Sequence, residues 1–311
     1  MKPFFMAKGF GGGSMDIAVF SDIHGNHTAL QAVIDYCMGK GITNYILLGD
    51  FISDCPNPQK TMELVYVLKQ YFTCYIVRGN REEYLLNYKK SGQDNWSKGS
   101  GSGNLLYNYE LMTDKDFNFF DSLPIYGIWN PKKVAGFEYC HGSPESSSEP
   151  IYGEKRNTKR ILNKMQTNIL LHGHTHVQET FLYRDKKAIN PGSVGLPRNN
   201  NQYAEFAVLH GNGTEWEEEL IQVKYDRHEI LKEFASSGLK EYAPAWAAVT
   251  MHTIRTGVDL AEAVLLKAMR LCEEERGMAL WPNIPEKYWA EALKEFYIDL
   301  SGKDIPRRKE S

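Results

Sequence analysis

Met15-Asp16-Ile17-Ala18-Val19-Phe20-Ser21-Asp22-Ile23-His24-Gly25-Asn26 is the stretch from which the rest of the 311-residue chain can be read. A short apolar run, Ile17 to Phe20, closes on a polar cluster, and the same event recurs downstream. Tyr45 to Leu48 runs into Gly49-Asp50, and Cys74 to Val77 into Arg78-Gly79-Asn80. Val134 to Cys140 runs into His141-Gly142-Ser143, and Ile169 to Leu171 into His172-Gly173-His174-Thr175-His176. Continuous apolar runs this short fit strands buried on both faces. Helical spacing over Ala29 to Met38, Lys60 to Tyr71 and Glu82 to Lys89 separates the early runs. Strand alternating with helix predicts an α/β architecture.

Composition narrows the class. The 36 basic and 39 acidic side chains leave a net charge of −3, without the basic surplus of a dedicated nucleic-acid binder. With 42% apolar and 24% charged residues a sizeable core is expected. No stretch approaches the roughly 18 uninterrupted apolar residues of a membrane span. Residues 1–14, ending in Gly-Gly-Gly-Ser, read as a flexible leader without the apolar region of a secretory signal. Cys37, Cys55, Cys74, Cys140 and Cys272 are scattered and form no C-x-x-C pair, so neither a disulfide framework nor a zinc knuckle is indicated. A soluble, cytoplasmic protein is expected.

The main domain is expected over residues 15–240. Within it Ser91 to Asn104, rich in Gly, Ser and Asn, reads as a mobile loop. Beyond about Tyr225 the spacing is helical, over Tyr225 to Ser237, Trp246 to Thr256, Leu260 to Arg276 and Glu286 to Leu300. Residues 241–311 are therefore expected to form a C-terminal helical extension. Its apolar set, with Trp246, Met251, Leu266, Trp281 and Trp289, calls for burial against the core or a second subunit. A homo-oligomer through these helices is one expectation. Another is that losing them harms solubility more than the chemistry upstream.

That chemistry sits at the strand ends. Asp22, His24, Asp50, Asn80, His141, His174 and His176 each follow an apolar run, and in open α/β sheets the strand C-termini converge where ligands bind. These seven side chains, with no thiolate among them, suffice for two divalent ions sharing a carboxylate. The nitrogen and oxygen donors suit Mn, Fe, Ni or Zn, with Mn favoured. Gly25, Gly49, Gly79, Gly142 and Gly173 would let the backbone turn sharply beneath them. A single histidine at a strand end is more often structural; the ordered set D-x-H, G-D, G-N, H-G and G-H-x-H carries the weight.

Asp22-Ile23-His24-Gly25-Asn26, Gly49-Asp50, Gly79-Asn80, His141-Gly142-Ser143-Pro144 and Gly173-His174-Thr175-His176 resemble the calcineurin-like metallophosphoesterase superfamily. Asn190 to Arg198, with Asp54-Cys55-Pro56-Asn57-Pro58, is similar to its bacterial and archaeal small phosphodiesterase branch, which includes diadenosine-polyphosphate hydrolase-like proteins. The likeness spans roughly Met15 to Gly238. It implies two mixed β-sheets packed as a sandwich flanked by helices. It implies that Asp22, His24 and His176 hold one metal, Asn80, His141 and His174 the other, and that Asp50 bridges both. A metal-bridging hydroxide would then attack phosphorus in line, on a phosphodiester, nucleotide or related phosphorylated small substrate.

The sequence departs from that family pattern at two linked places. Arg81 stands where many members carry a general-acid His after G-N, and Ser53 where they carry the Asp that orients it. Arg81 either binds a substrate phosphate or pairs with Glu82, Glu83 or another local acid. Arg198 is a second candidate for the phosphate. His27, His172 and Cys140 read as structural, and Arg156, Lys159 and Arg160 as a solvated helix face. The competing functions are a catalytically weak binding scaffold on the same fold and a protein phosphatase of the same superfamily. A nuclease is disfavoured by the absence of a basic, aromatic-lined groove.

Overall fold

A computed structural model describes residues 15–91, 96–131, 134–153, 155–212 and 214–305. The leader expected at 1–14 lies outside the described residues. β1 (Met15–Phe20), β2 (Asn44–Leu47) and β3 (Thr73–Ile76) run parallel, connected through α1 (His27–Gly39) and α2 (Pro58–Tyr71). β9 (Ala204–Gly211) returns antiparallel beside β1, and β10 (Trp216–Val223) beside β9, so the first sheet has the order β10-β9-β1-β2-β3. The second sheet contains β4 (Tyr126–Trp129), β5 (Phe137–Cys140), β6 (Ile169–Leu171), β7 (Gln178–Tyr183) and β8 (Lys186–Pro191), in the order β4-β5-β6-β8-β7. Both sheets are mixed, as expected.

Period-2 alternation explains why the runs are apolar throughout. Ile17 and Val19 of β1 point at the other sheet and join Ile46, Leu48, Phe137, Ile169, Leu171 and Ile189 in the inter-sheet core. Ala18 and Phe20 point the other way, into a second core with Tyr45, Leu47, Leu30, Val33, Met62 and Val65. On the far face of the second sheet, α6 (Arg156–Lys164) lays Ile161 and Leu162 over Cys140, Leu170 and Ala188. Edge strands β4, β7 and β10 escape the apolar-run criterion because part of each stays accessible, as in Trp216-Glu217-Glu218-Glu219-Leu220.

In the chain, α3 (Asn80–Ser91), α4 (Gly103–Leu111) and α5 (Asp114–Ser122) come between β3 and β4 and pack into the core on the outer face of the first sheet. Gly103 and Asn104 therefore belong to a helix rather than to the expected loop, and nearby Ser100 is an anchor. Its Oγ donates to Glu286 Oε1 at 2.6 Å and accepts from Ala245 N at 2.8 Å. Those partners lie in the C-terminal part, which comprises α7 (Arg227–Ser236), α8 (Leu239–Tyr242), α9 (Pro244–Thr256), α10 (Ala261–Arg276) and α11 (Glu286–Glu295). Trp289 and Val264 bury against Ala245, Ala248 and Val249 of α9, while Met251 and Ile254 on another side of α9 pack with Ile230, Phe234, Tyr107 and Leu196. Leu266 and Trp281 remain exposed. Among the described residues no helix is long and apolar enough to cross a membrane.

One buried charge on β9 gives the fold a pH dependence. Glu205 is fully buried, and its hydrogen-bond donors are neutral, among them the amides of Asn201, Asn199 and Gln222. Burial pushes its carboxyl from 4.5 up to about 7, against those hydrogen bonds. A folded-state pKa above the unfolded one contributes stability below about pH 4.5, and that contribution is lost as pH rises to 7. Glu205→Gln should therefore raise the melting temperature at pH 8 and change it little at pH 4. Equal shifts at both pH values in thermal melts would contradict this.

Candidate metal centre

The loops that follow β1, β2, β3, β5 and β6 bring all seven singled-out residues to one edge of the sandwich. Asp22, His24 and His176 form one group, and Asp50, His141 and His174 another, the ligand atoms of each lying within 4.8 Å of one another. Asn80 Oδ1 is 3.0 Å from His141 Nε2. Asp50 Oδ2 lies 3.7 Å from His24 Nε2 and 3.4 Å from His141 Nε2, between the groups. Asp22 does the same, since its Oδ1 is 3.3 Å from His176 Nε2, 3.7 Å from His24 Nε2 and 3.8 Å from His141 Nε2.

The outward face of each ring fixes its inward chemistry. His141 Nδ1 donates to the Leu48 carbonyl and His176 Nδ1 to the Leu196 carbonyl, both at 2.7 Å. A carbonyl can only accept, so the proton resides on Nδ1 and Nε2 keeps its lone pair. His24 Nδ1 faces Asp54 Oδ2 at 2.8 Å to the same effect. Lone pairs then confront one another, with His24 Nε2 and His176 Nε2 3.0 Å apart. Asp22 Oδ1, fully buried, accepts no hydrogen bond. Such a convergence is repulsive unless a shared proton or a metal cation lies within it. The donor set and its outward bonds fit a transition-metal site.

Charge points the same way. Asp22, Asp50, Asp54 and Glu82 are all buried. Burial raises the cost of ionising Asp22, yet His176 and His141 hold its carboxyl well below the usual range. Burial works against protonating His24, but Asp22, Asp54 and Asp50 raise it to about 10, so a proton stays on His24 wherever no metal cation takes its place. The backbone is unusual too. Asp22, His24, Asp50, His174 and His176 all have φ between 51° and 69°, the left-handed region that costs an L-residue roughly 1 kcal/mol or more. Gly79 serves a close approach rather than a turn, because a methyl there would overlap the Asp50 carboxylate.

Arg81 does not pair with Glu82 or Glu83. Its side chain lies 3.7 Å from Asp54 Oδ2 and 3.8 Å from Asp50 Oδ2, lining a cavity of about 270 Å³ above both ligand groups. Arg198 lines the same cavity but is ion-paired to Asp259 at 2.5 Å. His27 pairs with Glu233 of α7 at 2.9 Å, away from the site. His172 is buried against Phe181. Burial pushes the Cys140 thiol up, and Arg160 is tied to Glu145 and Glu149 on the surface.

Three residues that matter were not singled out as site residues. Asp54, one place beyond Ser53, supplies the carboxylate beside Arg81, and the spacing G-D-x-x-x-D was the signal for it. Trp246 of α9 donates from Nε1 to Asp54 Oδ1 at 2.5 Å, so the C-terminal helices reach the site itself, which their apolar count did not foretell. Glu82 accepts from the backbone N–H of Asp50 and Phe51, each at 2.9 Å, and of Gly79 at 2.7 Å, clamping two ligand loops together. Burial, with Asp50 adding to it, raises its carboxyl to about 7. Glu82→Ala would orphan three buried donors, each costing about 1–3 kcal/mol. It should lower the denaturation midpoint by far more than Glu82→Gln, which keeps an acceptor; equal urea midpoints for the two variants would contradict the clamp.

Comparison with known proteins agrees with this fold. An uncharacterized protein of Methanocaldococcus jannaschii is 29% identical over 244 residues, covering 73% of this chain and 94% of the relative. A metallophosphoesterase from Sphaerobacter thermophilus has a similar fold, with a TM-score of 0.60 at 20% identity over 79% of this chain and 100% of that one. A hypothetical protein from Pyrococcus horikoshii gives 0.63 at 19% identity over 78% of this chain and 98% of that one. The calcineurin-like phosphoesterase superfamily domain matches residues 15–214, from β1 to the end of β9. The chain belongs to the calcineurin-like phosphoesterase superfamily.

Proposed function

We propose that this protein is a metal-dependent phosphoesterase that hydrolyses phosphodiesters, nucleotides or related small phosphorylated substrates. The observation that carries the reading is the set of imidazole Nε2 atoms and buried carboxylates turned inward on a cation-sized gap, with the Nδ1 atoms of His141, His176 and His24 bonded outward, the last to Asp54. Asp22, His24 and His176 would hold one divalent ion and Asn80, His141 and His174 a second, with Asp50 shared and Asp22 near enough to share as well. Ions there would supply Lewis acidity toward a phosphoryl oxygen and lower the pKa of water.

The chain's own side chains divide the remaining work. Burial opposes the Arg81 charge, but Asp54 and Asp50 keep its pKa raised, so the guanidinium stays a fixed cation at the cavity wall. It can stabilise charge on a phosphoryl oxygen and cannot donate a proton to a leaving group. Asp54 holds both His24 and Arg81 in place. Arg198 can reach a phosphate only by leaving Asp259.

Two expectations follow from this division. Asp50→Asn should lose bound metal and activity together, and Asp54→Ala should weaken metal affinity by about 10–100-fold, whereas His27→Ala should retain its metal. Plasma mass spectrometry of the purified variants checks all three, and full metal occupancy in Asp50→Asn would contradict its shared role. Second, a positioned general acid contributes about 10²–10⁴-fold. Without one, rates should depend steeply on leaving-group pKa, aryl diesters and phosphoanhydrides outrunning alkyl monoesters. A flat series across aryl and alkyl esters would mean that another residue supplies the proton. Absence of Mn²⁺-, Fe²⁺-, Ni²⁺- or Zn²⁺-dependent hydrolysis of bis(p-nitrophenyl) phosphate would favour the scaffold reading instead.

A further inference from the structure

The roof of the catalytic cavity lies outside the matched family segment. Trp246, Thr250 and Thr253 of α9, Asp259 before α10, and Glu262 and Leu265 of α10 face the ligand groups across the gap. This wall is fastened to the domain. Trp246 is bonded to Asp54, Asp259 to Arg198, and Gln202 Nε2 donates to the Arg255 carbonyl at 2.7 Å. The size of the cavity is therefore a property of the fold. At about 270 Å³ it falls just below the roughly 300–1,000 Å³ of pockets for drug-sized ligands.

The wall also has one-sided chemistry. Thr250 Oγ1 spends its proton on the Trp246 carbonyl at 3.0 Å, and Thr253 Oγ1 on the Val249 carbonyl at 3.1 Å. What the two hydroxyls offer the cavity is lone pairs. Glu262 offers a carboxylate, and the Trp246 N–H is already taken by Asp54. Across the cavity the reverse holds at Arg81, which presents a cationic donor, while Arg198 is committed to Asp259. A ligand matching both walls has a phosphoryl group at one end and hydrogen-bond donors at the other.

We propose that α9 and α10 are the specificity wall of the site, and that Thr250, Thr253 and Glu262 select small phosphate esters whose alcohol carries hydroxyl or amino donors. The proposal rests on the phosphoesterase reading and goes beyond it by naming the substrate class.

The test uses full-length, metal-loaded protein and p-nitrophenyl diesters that share one leaving group. The non-leaving alcohol is 2,3-dihydroxypropyl or propyl in one pair, and 2-aminoethyl or ethyl in the other. The ratio of kcat/KM within each pair cancels the leaving-group chemistry and the active-enzyme concentration. Wild type should favour the donor-bearing ester in at least one pair by about tenfold, the worth of a well-made hydrogen bond. Which pair shows it separates hydroxyl from amine recognition. Thr250→Val and Glu262→Leu, which remove the acceptors, should each pull that ratio toward unity. Ratios near unity in wild type, or unchanged in both variants, would overturn the specificity wall while leaving the phosphoesterase reading intact. No hydrolysis of these esters or of bis(p-nitrophenyl) phosphate would overturn both.

Discussion

Two imidazole nitrogens 3.0 Å apart, each with its proton on the far side of the ring, are the constraint around which this edge of the molecule is organised. Rings do not rest that way without a proton or a metal cation between them, and the fold brings them together. His24 leaves the first sheet and His176 the second, so the pair closes the sandwich at its edge. Each outward bond ends on a group from elsewhere in the chain: Leu196 for His176, Asp54 for His24, and Leu48 for His141. Glu82 draws the loops after β2 and β3 together by their N–H groups. The inter-sheet core of Ile17, Val19, Phe137 and Leu171 supplies the stiffness that lets unfavourable neighbours persist.

Asp54 joins what would otherwise be three separate structures. Its two oxygens receive His24, Ser53 Oγ at 2.6 Å, Asn104 Nδ2 at 3.0 Å and Trp246 Nε1, and Arg81 lies close by. A candidate metal ligand, the cation at the cavity wall and a helix of the C-terminal part thus share one carboxylate. That arrangement explains how Arg81 is held in a site where a protonating histidine would use the same kind of partner. Its charge is balanced by acids that also face the metal groups, so the cation is fixed by the site rather than added to it.

Much of this was legible in the sequence because the informative residues follow buried strands. β1, β2, β3, β5 and β6 are short apolar runs, and the polar residue after each run lies at the shared edge. The chain's order alone placed Asp22, His24, Asp50, Asn80, His141, His174 and His176. Edge strands such as β10, with three glutamates in succession, carry no such mark. Asp54 and Glu82 were harder to find because their roles come from burial and from backbone donors distant in sequence. Trp246 was visible only as an aromatic on an apolar helix, since nothing in helical spacing reveals that its N–H reaches a carboxylate 192 residues away. The Gly- and Ser-rich stretch misled for a related reason, because Ser100 is ordered by Glu286 and Ala245, contacts invisible to local composition.

The left-handed backbone at Asp22, His24, Asp50, His174 and His176 restricts which sequences this scaffold can carry. Apart from glycine, the side chains that enter that region most readily are Asn, Asp and His, whereas β-branched residues are genuine outliers there. The same three types are ligands for divalent ions. Backbone shape and coordination chemistry therefore admit overlapping alphabets at these turns. A lineage drifting away from metal binding would meet a conformational barrier to Val, Ile or Thr at these positions, whatever became of the ion. Loss of function would leave Asn, Asp, His or Gly behind as a structural residue. A complete set of ligand-type residues is thus partly a record of the turn geometry, and the paired outward bonds of the imidazoles carry the more independent information about chemistry.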